Sequence, residues 1–234
     1  MLIARALLFN AVLFGWTALL GTLTLPALLG PPRWSHAISR VWIAVLFGAL
    51  KLIVGLDHEV RGRENLPEGA FVIASKHQSA WDTLVWSTLF DQVAIVLKRE
   101  LFMVPLFGWF LKRAGMIGID RAQGASAMKR MLREARAAAD AGRPLLIFPE
   151  GTRTPPGARR PYHPGIAALY LHLGLPVVPV ALNSGLFWGR RSFLKHPGRI
   201  VLEFLPPIPP GLGRAAFMRE LETRIETATD RLCG

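Results

Sequence analysis

A chain of 234 residues is long enough for one catalytic domain with a modest extension, and its single cysteine, Cys233, excludes a disulfide framework and a cysteine zinc site. About half of the residues are hydrophobic, and the formal net charge is +12. A charge of this sign favours anionic lipid headgroups, acidic proteins or nucleic acid as partners.

The first 56 residues predict attachment to a membrane. No charged residue occurs in residues 6–32, and a second apolar run covers residues 41–50. Because roughly 20 helical residues cross a bilayer, a spanning helix, a cleaved signal and a hairpin that dips into one leaflet all remain open. We favour the hairpin, since Arg33 and Arg40 follow the Pro31-Pro32 turn and a basic loop outside the cell would break the positive-inside tendency.

From residue 57 onward, short apolar runs alternate with helical stretches. The candidate strands are residues 59–62, 71–75, 93–97, 116–120, 145–148, 177–181 and 200–204. The candidate helices are residues 80–89, 104–114, 125–141, 166–173 and 215–232. This alternation predicts an α/β fold: a single domain (residues 57–234) with a mostly parallel sheet flanked by helices, preceded by the membrane-associated helical hairpin (residues 1–56).

A histidine, His77, lies five residues before an aspartate, Asp82, just after the apolar run 71–75. Active groups of open α/β sheets gather at such strand ends. Five helical residues turn the chain by about 500°, so the two side chains meet only if His77 precedes the helix and Asp82 lies in its first turn. Asp82 would then orient His77 as a general base for a hydroxyl group.

Two other interpretations of this segment remain open. An ordinary loop histidine beside a helix-capping aspartate would have the same spacing. Ser79 is a weaker candidate nucleophile, because no Gly-x-Ser-x-Gly elbow surrounds it, and a role as helix cap is favoured instead.

A second motif, Phe-Pro-Glu-Gly-Thr-Arg at residues 148–153, follows the apolar residues 145–147. Gly151 allows the backbone to approach a ligand closely, and Arg153 offers a forked donor that suits a phosphate monoester. Glu150 would accept a substrate hydroxyl or hold Arg153 in place. A structural Pro-Gly corner is the alternative.

Further basic residues could face an anionic pocket or simply be solvated. Lys98 precedes a helix and Arg121 follows the next strand. The pair Arg159-Arg160 and a cluster from Arg190 to Arg199, which includes Lys195, would contact anionic lipid or an acidic carrier protein. No histidine pair has metal-ligand spacing, and no glycine-rich nucleotide fingerprint occurs, so we expect neither a metal nor a nucleotide cofactor.

Four ordered blocks resemble the glycerolipid acyltransferase family, in particular the bacterial 1-acylglycerol-3-phosphate acyltransferases. They are His77-x4-Asp82, the Lys98-Arg99-Glu100-Leu101 block through Arg121, Phe-Pro-Glu-Gly-Thr-Arg, and Val178-Pro179-Val180. Gln78 departs from the Asn or Arg of many members. The resemblance implies transfer of a fatty acyl group from acyl carrier protein or coenzyme A to the sn-2 hydroxyl of 1-acylglycerol 3-phosphate, giving phosphatidic acid. It also implies no cofactor, no metal and no covalent intermediate.

The same resemblance implies roles for particular residues. His77 would be the base and Asp82 its partner, and the substrate-binding residues would be Lys98, Arg121, Glu150, Gly151, Thr152 and Arg153. We expect an enzyme of the cytoplasmic membrane whose catalytic domain faces the cytoplasm. Its partners would be membrane lipids, lysophosphatidic acid, and acyl carrier protein or acyl-CoA, with no nucleic acid. Another lysolipid acceptor, or a hydrolase in which His77 activates water, remains the alternative.

Overall fold

The computed structural model describes residues 1–234, apart from the side chain of Arg121. Two long helices come first, α1 (Leu2–Leu23) and α2 (Pro32–Ala49), and a π-helical turn at Leu50–Val54 continues α2. A 3-10 turn, Leu25–Leu29, joins them. Helix α1 ends three residues before Pro26, and the Pro31-Pro32 pair starts α2, because proline fits the first helical turn.

The rest of the chain builds one seven-stranded sheet of order β1-β7-β6-β2-β5-β3-β4. In chain order the strands are β1 (Leu56–Arg61), β2 (Val72–Ser75), β3 (Ala94–Lys98), β4 (Ile117–Ile119), β5 (Leu145–Ile147), β6 (Val177–Leu182) and β7 (Gly198–Phe204). Strands β6, β2, β5, β3 and β4 run parallel; β7 is antiparallel to β6, and β1 is parallel to β7. The expected mostly parallel sheet is confirmed.

Helices cover both faces of this sheet. They are α3 (Trp81–Leu84), α4 (Trp86–Leu89), α5 (Phe107–Arg113), α6 (Gly124–Asp140), α7 (Gly165–Leu173) and α8 (Arg214–Cys233). Alternate strand residues pack on opposite faces, as the period of a strand requires. In β2, Val72 and Ala74 join the core formed with α6, α7 and α8, whereas Ile73 joins the core that includes Leu50 and Trp81.

The N-terminal hairpin (α1 and α2) lies along the domain instead of projecting from it. Near its turn, an Arg113 guanidinium on α5 donates to the carbonyl of Gly30. On α1, the Asn10 side chain accepts a 2.9 Å hydrogen bond from Lys195 Nζ. Both helices are long and apolar enough to cross a membrane by length and composition. Their outward side chains stay exposed, including Leu7, Phe14, Leu23 and Val41.

An apolar cavity of about 70 Å³ separates the hairpin from α5. Leu20, Trp42, Phe107 and Phe110 are among its lining residues, and none of the candidate site residues is.

The strand predictions agree with the structure to within three residues, but the predicted helix 80–89 is broken. It forms two short helices, α3 and α4, that meet at Val85. The hydroxyls of Thr83 and Thr88 donate to carbonyls three residues earlier, at 2.8 and 2.6 Å, and so compete with the helical hydrogen bonds. The predicted helix 104–114 starts only at Phe107, because Leu106 has a φ of +61°.

Candidate active site

The carboxyl ends of four adjacent parallel strands bring the candidate residues to one edge of the sheet. His77 follows β2, and the 148–153 turn follows β5, which pairs directly with β2. Lys98 ends β3, and the backbone of Arg121 follows β4 on the same edge. Ligands of open parallel sheets bind at this edge, so the topology itself gathers the motifs.

His77 and Asp82 form the contact that their spacing requires. His77 lies in the loop before α3, and Asp82 is the second residue of that helix. His77 Nδ1 is 3.1 Å from Asp82 Oδ2. Since an ionised carboxylate can only accept a hydrogen bond, Nδ1 carries the proton and donates it in this bond, and Nε2 is left to act as a base.

Backbone donors fix the Asp82 carboxylate in this position. Oδ2 also accepts hydrogen bonds from the backbone N–H groups of Gln78, at 2.6 Å, and Ser79, at 2.7 Å. The Ser184 hydroxyl, from the segment after β6, donates to Oδ1. Asp82 is fully buried, and four donors converge on its one carboxylate. The geometry of the His77 ring is therefore set by a group that cannot move freely.

Phe148 supports the other side of the histidine. The two rings stack with centroids 4.1 Å apart and planes inclined by 23°. The His77 side chain is 11% exposed, enough for one edge of the ring to meet a substrate. Because ring stacking and the Asp82 contact act together, they restrict the imidazole to one orientation.

The structure disfavours covalent catalysis by Ser79 or by Cys233. The Ser79 hydroxyl is fully buried and accepts a 3.2 Å hydrogen bond from the Trp81 N–H, which is a helix-start contact. Burial raises the pKa of the Cys233 thiol, which weakens it as a thiolate nucleophile. Among the described side chains, no group of three or more His, Cys, Asp or Glu residues is arranged to hold a metal ion.

Glu150 has different partners from the two that the sequence suggested. Its Oε2 accepts a 2.9 Å hydrogen bond from the His77 backbone N–H. Its Oε1 lies 2.8 Å from Lys76 Nζ, an ion pair that lacks the angle of a hydrogen bond. Burial raises the pKa of Glu150, while the Lys76 ammonium lowers it. The side chain thus supports the His77 loop and does not bind Arg153.

The turn after Glu150 leads to the cation that the motif predicted. Gly151 has a φ of +63°, a conformation that favours glycine. Arg153 is half-buried and makes no hydrogen bond or ion pair with any described side chain. Burial lowers the pKa of Arg153, Asp82 raises it, and the nearby Arg190 and Arg191 lower it again. A half-buried guanidinium with two cationic neighbours can bind an anion, and a phosphate-binding role for Arg153 stays a prediction.

Three other predicted binding residues are less well defined. Thr152 lies between Gly151 and Arg153 and is half-buried. Lys98 is exposed, and its ion pair among the described side chains is with Glu100, at 3.6 Å. The Arg121 side chain is outside the described part of the chain. The roles of these residues in substrate binding stay predictions.

Comparison with known proteins identifies the family. The family model described as Acyltransferase matches residues 57–183. A 1-acyl-sn-glycerol-3-phosphate acyltransferase of Pseudomonas aeruginosa is 38% identical over 224 residues, which cover 94% of this chain and 85% of that protein. The chain belongs to the acyltransferase family.

More distant acyltransferases extend the comparison. A 1-acyl-sn-glycerol-3-phosphate acyltransferase of Limnanthes alba is 30% identical over 195 residues, covering 82% of this chain and 69% of that protein. The crystal structure of the 1-acyl-sn-glycerophosphate acyltransferase of Thermotoga maritima superposes with a TM-score of 0.80 at 20% identity, covering 99% of this chain and 95% of that one. This acyltransferase therefore shares its whole fold, the N-terminal helices included, with that structure.

Several supporting residues of this acyltransferase were not found from the sequence. Ser184 bonds Asp82 from 102 residues away, and no spacing rule connects them. Gln78, which departs from the family pattern, is buried, accepts from the Gly185 N–H at 2.9 Å and contacts the Cys233 sulfur at 3.8 Å. Lys195, assigned to an exposed basic cluster, is buried among aromatic rings. The only available signal was the apolar character of its neighbours.

Proposed function

We propose that this acyltransferase moves a fatty acyl group from a thioester, of acyl carrier protein or coenzyme A, to the sn-2 hydroxyl of 1-acylglycerol 3-phosphate. The observation that carries the proposal is the pairing of a base and a cation at adjacent strand ends. His77, held by Asp82, follows β2, and Arg153, free of an ionic partner among the described side chains, follows β5. The names of the relatives from Pseudomonas and Limnanthes support the same acceptor.

The reaction needs positioning and one base. His77 Nε2 takes the proton of the acceptor hydroxyl as its oxygen attacks the thioester carbonyl carbon. The new C–O ester bond forms, the C–S bond breaks, and the sulfur leaves as a thiol that takes the proton from the imidazolium. Asp82 stabilises that imidazolium through Nδ1, 3.1 Å from its carboxylate. Since the thioester is already activated, no cofactor is required for this step.

The acceptor phosphate would bind Arg153. A guanidinium presents two parallel N–H donors to a phosphate and remains charged at all relevant pH values. Arg190 and Arg191 add positive potential at the same place. A phosphate bound there would relieve the repulsion among the three cations, so binding is favoured beyond the direct hydrogen bonds. Gly151 and Thr152, on the same turn, would meet the glycerol.

We also propose that the enzyme sits on the cytoplasmic leaflet, with its hairpin in that leaflet. A helix of 22 residues is about 33 Å long, so a spanning α1 would carry the hairpin turn across the bilayer. The contacts of Gly30 with Arg113 and of Asn10 with Lys195 instead keep the hairpin against the catalytic domain. Its exposed apolar side would enter the lipid, where both acyl substrates reside.

A transfer assay with a panel of acceptors tests the proposal. Purified protein in detergent would receive labelled acyl thioester with lysophosphatidic acid, glycerol 3-phosphate, lysophosphatidylethanolamine or a lyso-aminolipid. We expect phosphatidic acid as the main product, formed at least about 100 times more slowly by His77→Ala. Transfer only to another acceptor would replace the substrate assignment. Release of free fatty acid when the acceptor is withheld would indicate a hydrolase instead.

A further inference from the structure

A buried cluster of ionisable side chains lies directly behind the candidate base. Lys76 directly follows β2, immediately before His77, and is 1% exposed. Its Nζ donates hydrogen bonds of 2.7 and 2.9 Å to the two carboxylate oxygens of Glu226 on α8. The same ammonium is 2.8 Å from Glu150 Oε1. One buried cation thus serves two carboxylates, which are themselves 2% and 4% exposed.

This cluster, which we call the Lys76 cluster (Lys76, Glu150, Glu226 and Tyr162), reaches the backbone of His77. Glu150 Oε2 accepts from the His77 N–H at 2.9 Å. The His77 carbonyl accepts from the Thr154 N–H at 2.7 Å, four residues beyond Glu150. Both polar backbone groups of His77 are therefore held by the same segment, and the Lys76 cluster holds that segment.

Glu226 sets the position of the ammonium. The hydrogen bonds from Lys76 Nζ point to Glu226, whereas Glu150 shares only its charge. The hydroxyl of Tyr162 donates to Glu226 Oε1 at 2.8 Å and fixes that carboxylate in turn. Without the positive charge of Lys76 beside it, Glu150 would be an unpaired buried carboxylate next to the base. Such a carboxylate either takes up a proton or moves.

We propose that Glu226 is a positioning residue of the acyl-transfer site, acting through Lys76 and Glu150 on the backbone of His77. The inference rests on the proposed function. Glu226 lies outside residues 57–183, the part of the chain that the family model matches, and its helix comes from the C-terminal end of the chain. The C-terminal helix therefore takes part in the geometry of the base as well as in the core.

The variant Glu226→Gln tests this role. The amide keeps the volume of the carboxylate but replaces one acceptor by an NH2 group, so Lys76 loses one bond and its strongest counter-charge. Lys76 then shifts toward Glu150, and the His77 loop shifts with it. Because a displacement of about 1 Å in a catalytic group can cost about 100-fold, we expect kcat to fall by roughly tenfold or more. The KM of either substrate should change less than about threefold.

Asp230→Asn is the matched control. Asp230 is on the same helix and forms an exposed 2.6 Å ion pair with Arg159, which lies on the same segment between β5 and α7. The substitution removes one exposed ion pair of α8 and leaves the side chains of the Lys76 cluster unchanged. We expect its kcat to stay within about twofold of the wild type, since exposed ion pairs contribute little. A folded Glu226→Gln protein with kcat within that same range would overturn the proposal.

A second readout separates this proposal from the proposed function. Hydrogen exchange of a peptide covering residues 74–79 reports on the His77 N–H, which donates a hydrogen bond to Glu150. We expect faster exchange in Glu226→Gln and unchanged exchange in Asp230→Asn, even if no acceptor in the panel gives product. If residues 74–79 exchange at the same rate in both variants, the positioning role is overturned. If the wild type transfers no acyl group to any acceptor but the exchange differs as expected, only the proposed reaction is overturned.

If Glu226→Gln fails to fold, Tyr162→Phe gives the answer. This variant removes one hydroxyl from the Lys76 cluster and keeps the aromatic ring. It leaves the Lys76 hydrogen bonds to Glu226 intact, so a smaller fall in kcat, about threefold, is expected with the same unchanged KM. A Tyr162→Phe enzyme with wild-type kcat and wild-type exchange at residues 74–79 would contradict the proposal.

Discussion

The substitution Asp82→Asn separates the charge of the aspartate from its geometry. Oδ2 accepts three donors, from His77 Nδ1 and from two backbone N–H groups, so an NH2 group cannot take that place. The asparagine must put its carbonyl oxygen there and turn its NH2 toward Ser184, whose hydroxyl can accept as well as donate. The ring orientation of His77 is then retained, and only the negative charge is lost.

The size of the effect follows from the 3.1 Å separation between His77 and Asp82. Two unit charges at this distance attract by about 5 kcal/mol in a medium of effective dielectric constant about 20. A hydrogen bond to a charged group gains about 1–2 kcal/mol over a neutral one. Since about 1.4 kcal/mol is tenfold in rate, a loss of about 1 to 5 kcal/mol predicts that kcat falls by between about fivefold and about 4,000-fold.

Steady-state transfer to lysophosphatidic acid, with a thermal unfolding curve for each protein, measures this effect. Asp82→Asn should unfold near the wild-type temperature. Asp82→Ala is the comparison: it leaves the Ser184 hydroxyl and two buried N–H groups without an acceptor, at about 1–3 kcal/mol each. An Asp82→Asn enzyme with kcat within about threefold of wild type would refute the electrostatic role of Asp82.

Three further predictions concern the surroundings of the base, and a fourth concerns Lys195 beside the hairpin. Arg153→Ala should raise the KM for lysophosphatidic acid about 10- to 100-fold and leave transfer to a phosphate-free monoacylglycerol unchanged, in paired kinetic assays. Ser184→Ala should lower kcat about threefold to tenfold, measured with saturating substrates, because Asp82 loses one donor. Burial raises the pKa of Glu150, so the folded protein binds more protons at this carboxyl than the unfolded chain does. The free energy of unfolding should therefore fall as pH rises from about 4.5 through that raised pKa. Denaturant titrations of Glu150→Gln should show no such fall. Burial lowers the pKa of Lys195, so the free energy of unfolding should rise with pH in the alkaline range below 10.5, and Lys195→Met should abolish that rise.

The strands and the base were predictable because their signals are local. Short apolar runs followed by polar residues indicated each strand of the parallel sheet, and a parallel sheet puts all such ends on one edge. The five-residue spacing of His77 and Asp82 fixed where the helix had to begin, and α3 starts at Trp81. These inferences needed no information about distant parts of the chain.

The partners from distant segments were not predictable, because no local pattern encodes them. Glu226 is 150 residues from Lys76. In a helical sequence, a glutamate at this position is predicted to be exposed like other surface acids. Lys195 also reads as a surface cation, yet three rings, those of Phe9, Trp188 and Phe193, surround its ammonium at 5.1 to 5.8 Å. Such contacts depend on how α8 and α1 pack, which burial of the whole chain decides.

The most direct test of the account is acyl transfer from a labelled thioester to lysophosphatidic acid by the wild type and by His77→Ala, at equal protein concentration. A general base contributes about 100- to 10,000-fold, so the variant should form phosphatidic acid at least about 100 times more slowly while remaining folded and bound to lipid vesicles. Phosphatidic acid formation by folded His77→Ala within about tenfold of the wild-type rate would contradict the assignment of His77 as the base.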